Sequence, residues 1–183
     1  MPIHFITDNQ MKFEEVRAVV ADLVKHPIKD LPEIQHDDPK VVIEAKLRAA
    51  IAAGAPKPFI VEDTCLHFDC LGGIPGPFIK WFKKVNGNKG LSEIVRRQAV
   101  DGATARAIIG YAGESGAFGF FEGSVRGRIV APSTPDEHSW DPIFMPDGYD
   151  RTFAELGVAV KNTISHRFLA AAALRDFLKK KNS

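Results

Sequence analysis

The sequence predicts an α/β fold: a mixed β-sheet with flanking helices, joined by a second, β-rich lobe. Three observations carry this. Short strand-like and helix-like segments alternate over residues 2–99. Residues 103–130 switch to a Gly-punctuated, strand-like texture, and residues 165–181 close the chain with a helix-like run.

Residues 2–6, PIHFI, read as a strand. In TDNQMKFEEVRAVVADLVK, Phe13, Val16, Val20, Leu23 and Val24 recur at helical spacing, which predicts one amphipathic helix capped by Asp8 or Asn9. HPIKDLPEIQ reads as a short extended stretch. In DDPKVVIEAKLRAAIAAG, Asp38 suits an N-cap, Pro39 the first helical position and Gly54 the residue past the end. VEDTCLHFD, residues 61–69, alternates and carries β-branched and aromatic residues, as a strand does. GGIPGP, residues 72–77, breaks it. That segment has neither the Gly-Lys-Ser/Thr of a phosphate loop nor GxGxxG spacing, so it reads as a rigid turn. FIKWFKKV and GLSEIVRRQA read as two short helices. ATARAIIGYA, GAFGFFEG and SVRGRIVA read as strands of an antiparallel hairpin or meander. A Pro-rich loop, PSTPDEHSWDPIFMPDGYD, then leads to the last helix, SHRFLAAAALRDFLKKK.

The chain has 183 residues, 45% of them hydrophobic, which predicts a single two-lobed domain spanning 1–183. A net charge of +1 supplies no global field for nucleic acid or membrane. The two cysteines do not make a disulfide framework, and no apolar run approaches membrane-spanning length. The N-terminal segment lacks the pattern of a signal peptide. The expectation is a soluble, cytoplasmic protein without nucleic-acid or membrane partners. The basic end, LRDFLKKK, reads as a solvated helix terminus that suits the helix dipole.

Several positions break local rules. Glu62 and Asp63 stand side by side in a strand, where a packed carboxylate is expensive unless paired. Alternation points them to opposite faces, so both reach one cation only if the strand frays or bends. His166 and Arg167 follow a plausible N-cap, Ser165, where cations oppose the helix dipole. They make an anion site with the free backbone N–H groups, or both point into solvent. Lys12 has the same placement after the turn of Thr7 and Asn9, and Lys80 lies in an apolar patch as a cleft-facing or snorkelling lysine. Cys65, His67 and Cys70 lack the fourth ligand and spacing of a zinc site and read as ordinary residues. Glu33, Glu62 and Asp63, with basic residues at 12, 46, 80, 161 and 166–167, suggest a site for Mg²⁺ and a nucleoside triphosphate.

VEDTCLHFDCLGGIPGPFIKWF, WDPIFMPDGYDRTFAEL and KNTISHRF resemble signatures of the inosine triphosphate pyrophosphatase, or Ham1, family, in the right order. FITDNQMKFEEV resembles the family's opening phosphate loop, and DLPEIQ its early metal-binding segment. The resemblance covers almost the whole chain. It implies an elongated mixed α/β fold of two lobes around a central cleft. It also implies Mg²⁺ dependence with Mn²⁺ as a substitute, a homodimer, and hydrolysis of deaminated purine triphosphates (ITP, dITP, XTP) to monophosphate and pyrophosphate. By that resemblance Asp63 is general base and metal ligand, Glu33 the second metal ligand and Thr64 a substrate contact. Thr7, Asn9, Lys12, Lys46 and Lys80 take the phosphate side. Trp140 and Asp141 form the base pocket, with Lys161, His166 and Arg167 as its far wall. Glu62 is not assigned to the metal.

Two departures stand out. Asp8 replaces the glycine of the family's Thr-Gly-Asn, adding negative charge near phosphate. His138 and Ser139 replace Phe-Gly before Trp140-Asp141, altering the surface on which a purine would stack. These leave two other readings open: a nucleotide-binding protein of low turnover, and a pyrophosphatase of altered base specificity.

Overall fold

The computed structural model describes residues 2–136 and 138–181. Strand β1 (Ile3–Phe5) leads through a short loop into α1 (Gln10–Arg17), followed by β2 (Leu23–Lys25). Next come α2 (Pro39–Ala52), β3 (Phe59–Phe68), the two-residue β4 (Pro75–Gly76) and α3 (Ile79–Arg96). The long hairpin of β5 (Gly102–Ala112) and β6 (Phe118–Ile129) precedes β7 (Phe144–Pro146), α4 (Phe153–Ile164) and α5 (His166–Lys181). All strands join one seven-stranded sheet of order β2-β1-β3-β5-β6-β7, with β4 beside β3. The β1–β2 and β1–β3 pairs are parallel and the rest antiparallel, so the mixed sheet is as expected.

The differences from the sequence reading have local causes. The helix expected to run to residue 25 stops at Arg17, and the chain then turns through Asp22 at φ 58° into β2. Val20 is buried from that turn and Leu23 from β2, so apolar spacing continues past the helix end. The extended stretch expected at 26–35 is loop, and the strand lies just before it. Asn9, not Asp8, caps α1 by accepting from the Lys12 N–H. The segments at 116–123 and 124–131 fall largely in one strand, β6. The two helices expected in 78–99 run together as α3, broken at Gly87. The loop expected to run to residue 150 contains β7, and α4 follows from a capping box in which Thr152 and Glu155 serve each other's backbone. Asp38 and Pro39 start α2 as expected, and Gly54 follows it at φ 78°.

Two helix layers cover the sheet. Ile60, Ala107, Ile109 and Tyr111 pack against α1 and α5. Phe59, Val61, Ile108 and Ala112 pack on the opposite face against Ile43 and Leu47 of α2. Alternation along β3 therefore aims Glu62 at the α1/α5 layer and Asp63 at α2. On one side β3 is paired with β5 from Phe59 to Phe68. On the other, β1 pairs only at Phe59 and Ile60, and β4 only at Leu66 and His67. The strand edge between them opens onto the start of α1.

The start of α5 is seated directly on β6 at Gly123. A Cβ there would collide with the His166 carbonyl, the Ala170 amide nitrogen and Leu169. The clash is with backbone, so no rotamer relieves it. Gly123→Ala is expected to destabilise the fold by about 1–3 kcal/mol and to shift His166 and Arg167. Denaturant unfolding checks this: unchanged stability would mean that α5 is not held at this contact.

Candidate active site

The open edge of β3 forms one wall of a cleft of about 540 Å³. Thr7, Asp8, Asn9 and Lys12 enter from the β1–α1 junction. Glu33 comes from the loop before α2, Lys46 from α2, and Asp63 and Thr64 from β3. Lys80 stands at the start of α3, and His138, Ser139, Trp140 and Asp141 lie in the loop before β7. Lys161 stands in the last turn of α4, and His166 and Arg167 begin α5. The structure thus brings all of the sequence-selected residues to one cavity.

Glu62 is its electrostatic centre. Its side chain is fully buried, with Lys12 Nζ at 2.6 Å from Oε2 and Arg167 Nε at 3.0 Å from Oε1. Thr64 donates its hydroxyl to Glu62 at 2.7 Å and accepts from Arg167 at 2.9 Å. The strand neither frays nor bends to achieve this. Lys12 enters where β3 has no neighbour and reaches Glu62 while lying 4.0 Å from Asp63. Burial pushes the Glu62 carboxyl up, but Arg167 and Lys12 outweigh it and hold the group well below its ordinary value.

At one end of the cleft Lys46 donates to Asp63 at 3.3 Å and pairs with Glu33 at 3.1 Å, while Lys80 reaches the other Glu33 oxygen at 3.2 Å. Burial lowers the Lys46 pKa, yet Asp63 and Glu33 raise it above the usual lysine value. Burial raises Glu33, and Lys46 and then Lys80 bring it below the ordinary carboxylate value.

At the other end Glu15 pairs with both Arg167 and Lys161, the latter at 2.9 Å, and Lys161 also reaches Asp141 at 2.6 Å. Burial raises the Glu15 pKa, while Arg167 and Lys161 hold it down. His166 and Arg167 are buried, which overturns the reading that both point into solvent. Burial keeps His166 neutral, well below its ordinary value, and Arg167 and Lys161 push the same way. Its ring packs in a triangle with Trp140, at 5.2 Å, and Phe153, at 6.1 Å, and neither ring nitrogen has a hydrogen-bond partner among the described residues.

The loop before β7 is anchored by Asn88, whose side-chain amide donates to the Asp136 and Ser139 carbonyls. Ser139 accepts from the Asp141 N–H at 3.2 Å, and His138 is exposed at the cleft mouth. Asp8 is also exposed. Only Asp22 and Asp30 among described non-glycine residues have positive φ, so position 8 does not require a glycine conformation. Its effect on a ligand is one of charge. Lys80, 72% exposed in its side chain, both snorkels and faces the cleft. Cys65 is buried, its thiol pushed up to about 12 by burial, and His67 Nδ1 lies 3.0 Å from the Gly73 carbonyl oxygen.

Sequence reasoning missed Glu15 and gave Glu62 no assignment. Glu15 sits beside Phe13 and Val16 on the buried side of α1 and is itself buried, an acid on an apolar face. Alternation assigned Glu62 to the same face of β3 as Ile60 and Leu66. Both were legible as carboxylates that needed buried cations.

Among the described residues the cavity is lined by six basic side chains and six acidic ones. The structure thus defines a mixed α/β protein with a highly charged cleft. The chain belongs to the Ham1 family, whose sequence model matches residues 3–177. Its fold is similar to that of the Ham1 protein of Coxiella burnetii, at 23% identity and TM-score 0.80 over 98% of this chain and 99% of that one. It is also similar to the Staphylococcus aureus Ham1 protein, at 23% identity and TM-score 0.73 over 99% and 100% of the two chains. A nucleoside-triphosphatase / dITP/XTP pyrophosphatase from Mycobacterium abscessus matches at 24% identity and TM-score 0.69, over 95% and 98%. No described helix is long and apolar enough to cross a membrane.

Two stability predictions follow from the buried charges. Arg167→Met leaves Glu15 with one cation fewer and Glu62 paired only with Lys12, and should cost about 3–5 kcal/mol in denaturant unfolding; a cost under about 1 kcal/mol would mean that the pairs are not buried in solution. Stability should also fall with acidification in two stages. Below about pH 6.5 the unfolded chain protonates His166 while the folded chain does not. Below about 4.5 the unfolded chain protonates Glu15 and Glu62 while the folded chain resists. His67, held below its ordinary value by burial, adds to the first stage, so His166→Phe should shrink that stage in a pH series of unfolding midpoints and keep the second. A first stage of undiminished size would refute the contribution of His166.

Proposed function

We propose that the protein hydrolyses deaminated purine nucleoside triphosphates to the monophosphate and pyrophosphate, acting as a cytoplasmic homodimer dependent on a divalent cation. One observation carries this reading. Asp63 lies 3.3 Å from the Lys46 ammonium and 4.0 Å from that of Lys12, in the same cleft that Trp140, Lys161, His166 and Arg167 line. A triphosphate at the lysine end and a purine at the aromatic end fill the cleft. The M. abscessus relative is a dITP/XTP pyrophosphatase, and family membership supports the same chemistry here.

Glu33 and Asp63 fit a hard divalent cation that keeps most of its waters: their carboxylate oxygens approach the same ammonium, Lys46, at 3.1 and 3.3 Å, and no group of three metal-ligating side chains occurs among the described residues. The balanced lining argues the same way: a triphosphate brings negative charge for which the cleft has no surplus positive charge. These two residues would hold Mg²⁺, which when bound neutralises phosphate oxygens and eases departure of pyrophosphate. Asp63 orients a water toward the α-phosphorus and takes its proton. Lys12, Lys46 and Lys80 hold the phosphates, and Thr7, Asn9 and the start of α1 supply further donors. The rings of Trp140 and His166 make the floor of the base pocket. Arg167 and Lys161 present N–H groups to an oxygen at position 6 of the purine. Adenine carries an amino donor there, which leaves those groups unpaired.

Asp63→Asn should lower turnover by about 10²–10⁴-fold and leave the fold intact, as read by pyrophosphate release and a thermal melt; near-normal turnover would refute the assignment. ITP should exceed ATP by at least about tenfold in kcat/KM, and equal values would refute the base pocket. Asp8→Gly should lower KM by removing an exposed carboxylate from the phosphate loop. A higher Mg²⁺ requirement without a gain in KM would instead identify Asp8 as a cation ligand.

A further inference from the structure

We propose that Glu62 is a positioning residue that couples base recognition to the phosphate end of the cleft. The inference rests on the nucleotide reading above and deepens it. Glu62 holds the two ends through separate oxygens: Oε1 accepts from Arg167 Nε at 3.0 Å, and Oε2 lies 2.6 Å from Lys12 Nζ. Arg167 belongs to α5 and contributes to the aromatic end, whereas Lys12 belongs to α1 and stands near Asp63. Among the described residues no other carboxylate in the cleft joins these two cations. Glu15 ties Arg167 to Lys161 within the base end, and Glu33 ties Lys46 to Lys80 within the phosphate end.

The bridge is stiff. The Glu62 side chain has no exposed surface, Thr64 braces Oε1, and Arg167 is held on two further nitrogens, by Glu15 and by Thr64. A guanidinium has five donors, so N–H groups remain for the base. A base that accepts from them leaves the guanidinium where it is. A base that presents a donor pushes it aside. Glu62 then moves with Arg167 and takes Lys12 out of line with the phosphate beside Asp63. Misfit at the base is therefore expressed in the rate of the chemical step as well as in binding.

The test is steady-state kinetics with ITP and ATP, reading kcat and KM separately, for the wild type and for Glu62→Asp, which keeps the charge but shortens the bridge by one methylene. In the wild type, kcat for ITP should exceed that for ATP by about tenfold, the effect of one misplaced charged hydrogen bond. In Glu62→Asp the kcat ratio should fall toward one, with the KM ratio kept. Wild-type discrimination carried by KM alone overturns the coupling while leaving the nucleotide reading intact, and this result needs no variant. A Glu62→Asp protein that melts normally and keeps the wild-type kcat ratio also overturns it. Absence of ITP turnover in the wild type overturns the coupling and the nucleotide reading together.

Discussion

The burial of one carboxylate organises this cleft. Glu62 lies on the packed face of a central strand with no solvent at its side chain. A charge in that position is tolerated only with compensating cations and hydrogen bonds. Two cations reach it from elements far apart in sequence, Lys12 on α1 and Arg167 on α5. That requirement fixes how the first helix and the last helix sit on the sheet. It also explains why Arg167 stands in the first turn of α5 against the dipole of its own helix: Glu15 and Glu62 supply what the helix end opposes. Gly123 completes the arrangement by letting α5 approach β6 closely enough for the contact to form.

From this centre the charges extend in both directions and alternate in sign. Toward one end run Lys12, Asp63, Lys46, Glu33 and Lys80; toward the other, Arg167, Glu15, Lys161 and Asp141. Each of these cations is already paired, a pattern that the list of basic residues in the sequence did not show. A network of this kind orients donors accurately but lends little net attraction to a polyanion. Under the proposed function, recognition is then an exchange in which the ligand and its counter-cation replace partners that the side chains give one another.

Much of the fold was legible because its signals are local. Asp38-Pro39 and Gly54 bracket α2, and alternation marks β3 and the hairpin. Apolar spacing misled beyond Arg17, since a buried turn and a short strand supply core residues at intervals that imitate a helix. α4 was overlooked although Thr152 and Glu155 stand at capping-box spacing. The candidate residues were recognised mainly through extended resemblance. Their pairing was not legible, because it joins positions such as 15 with 161 and 62 with 167. The clearest missed signal was physical: two glutamates on buried faces that could not stand unpaired.

A cleft whose described charges balance should take up a triphosphate only together with a divalent cation. Calorimetric titration with an α,β-methylene analogue of ITP, which cannot be cleaved at that bond, tests it directly. With Mg²⁺ present the analogue should bind, and with the cation chelated its affinity should fall by about 100-fold or more, the scale of losing a compensating charge in a partly buried site. Equal affinity in the two conditions would contradict the account, since the cleft's own lysines and arginine would then suffice.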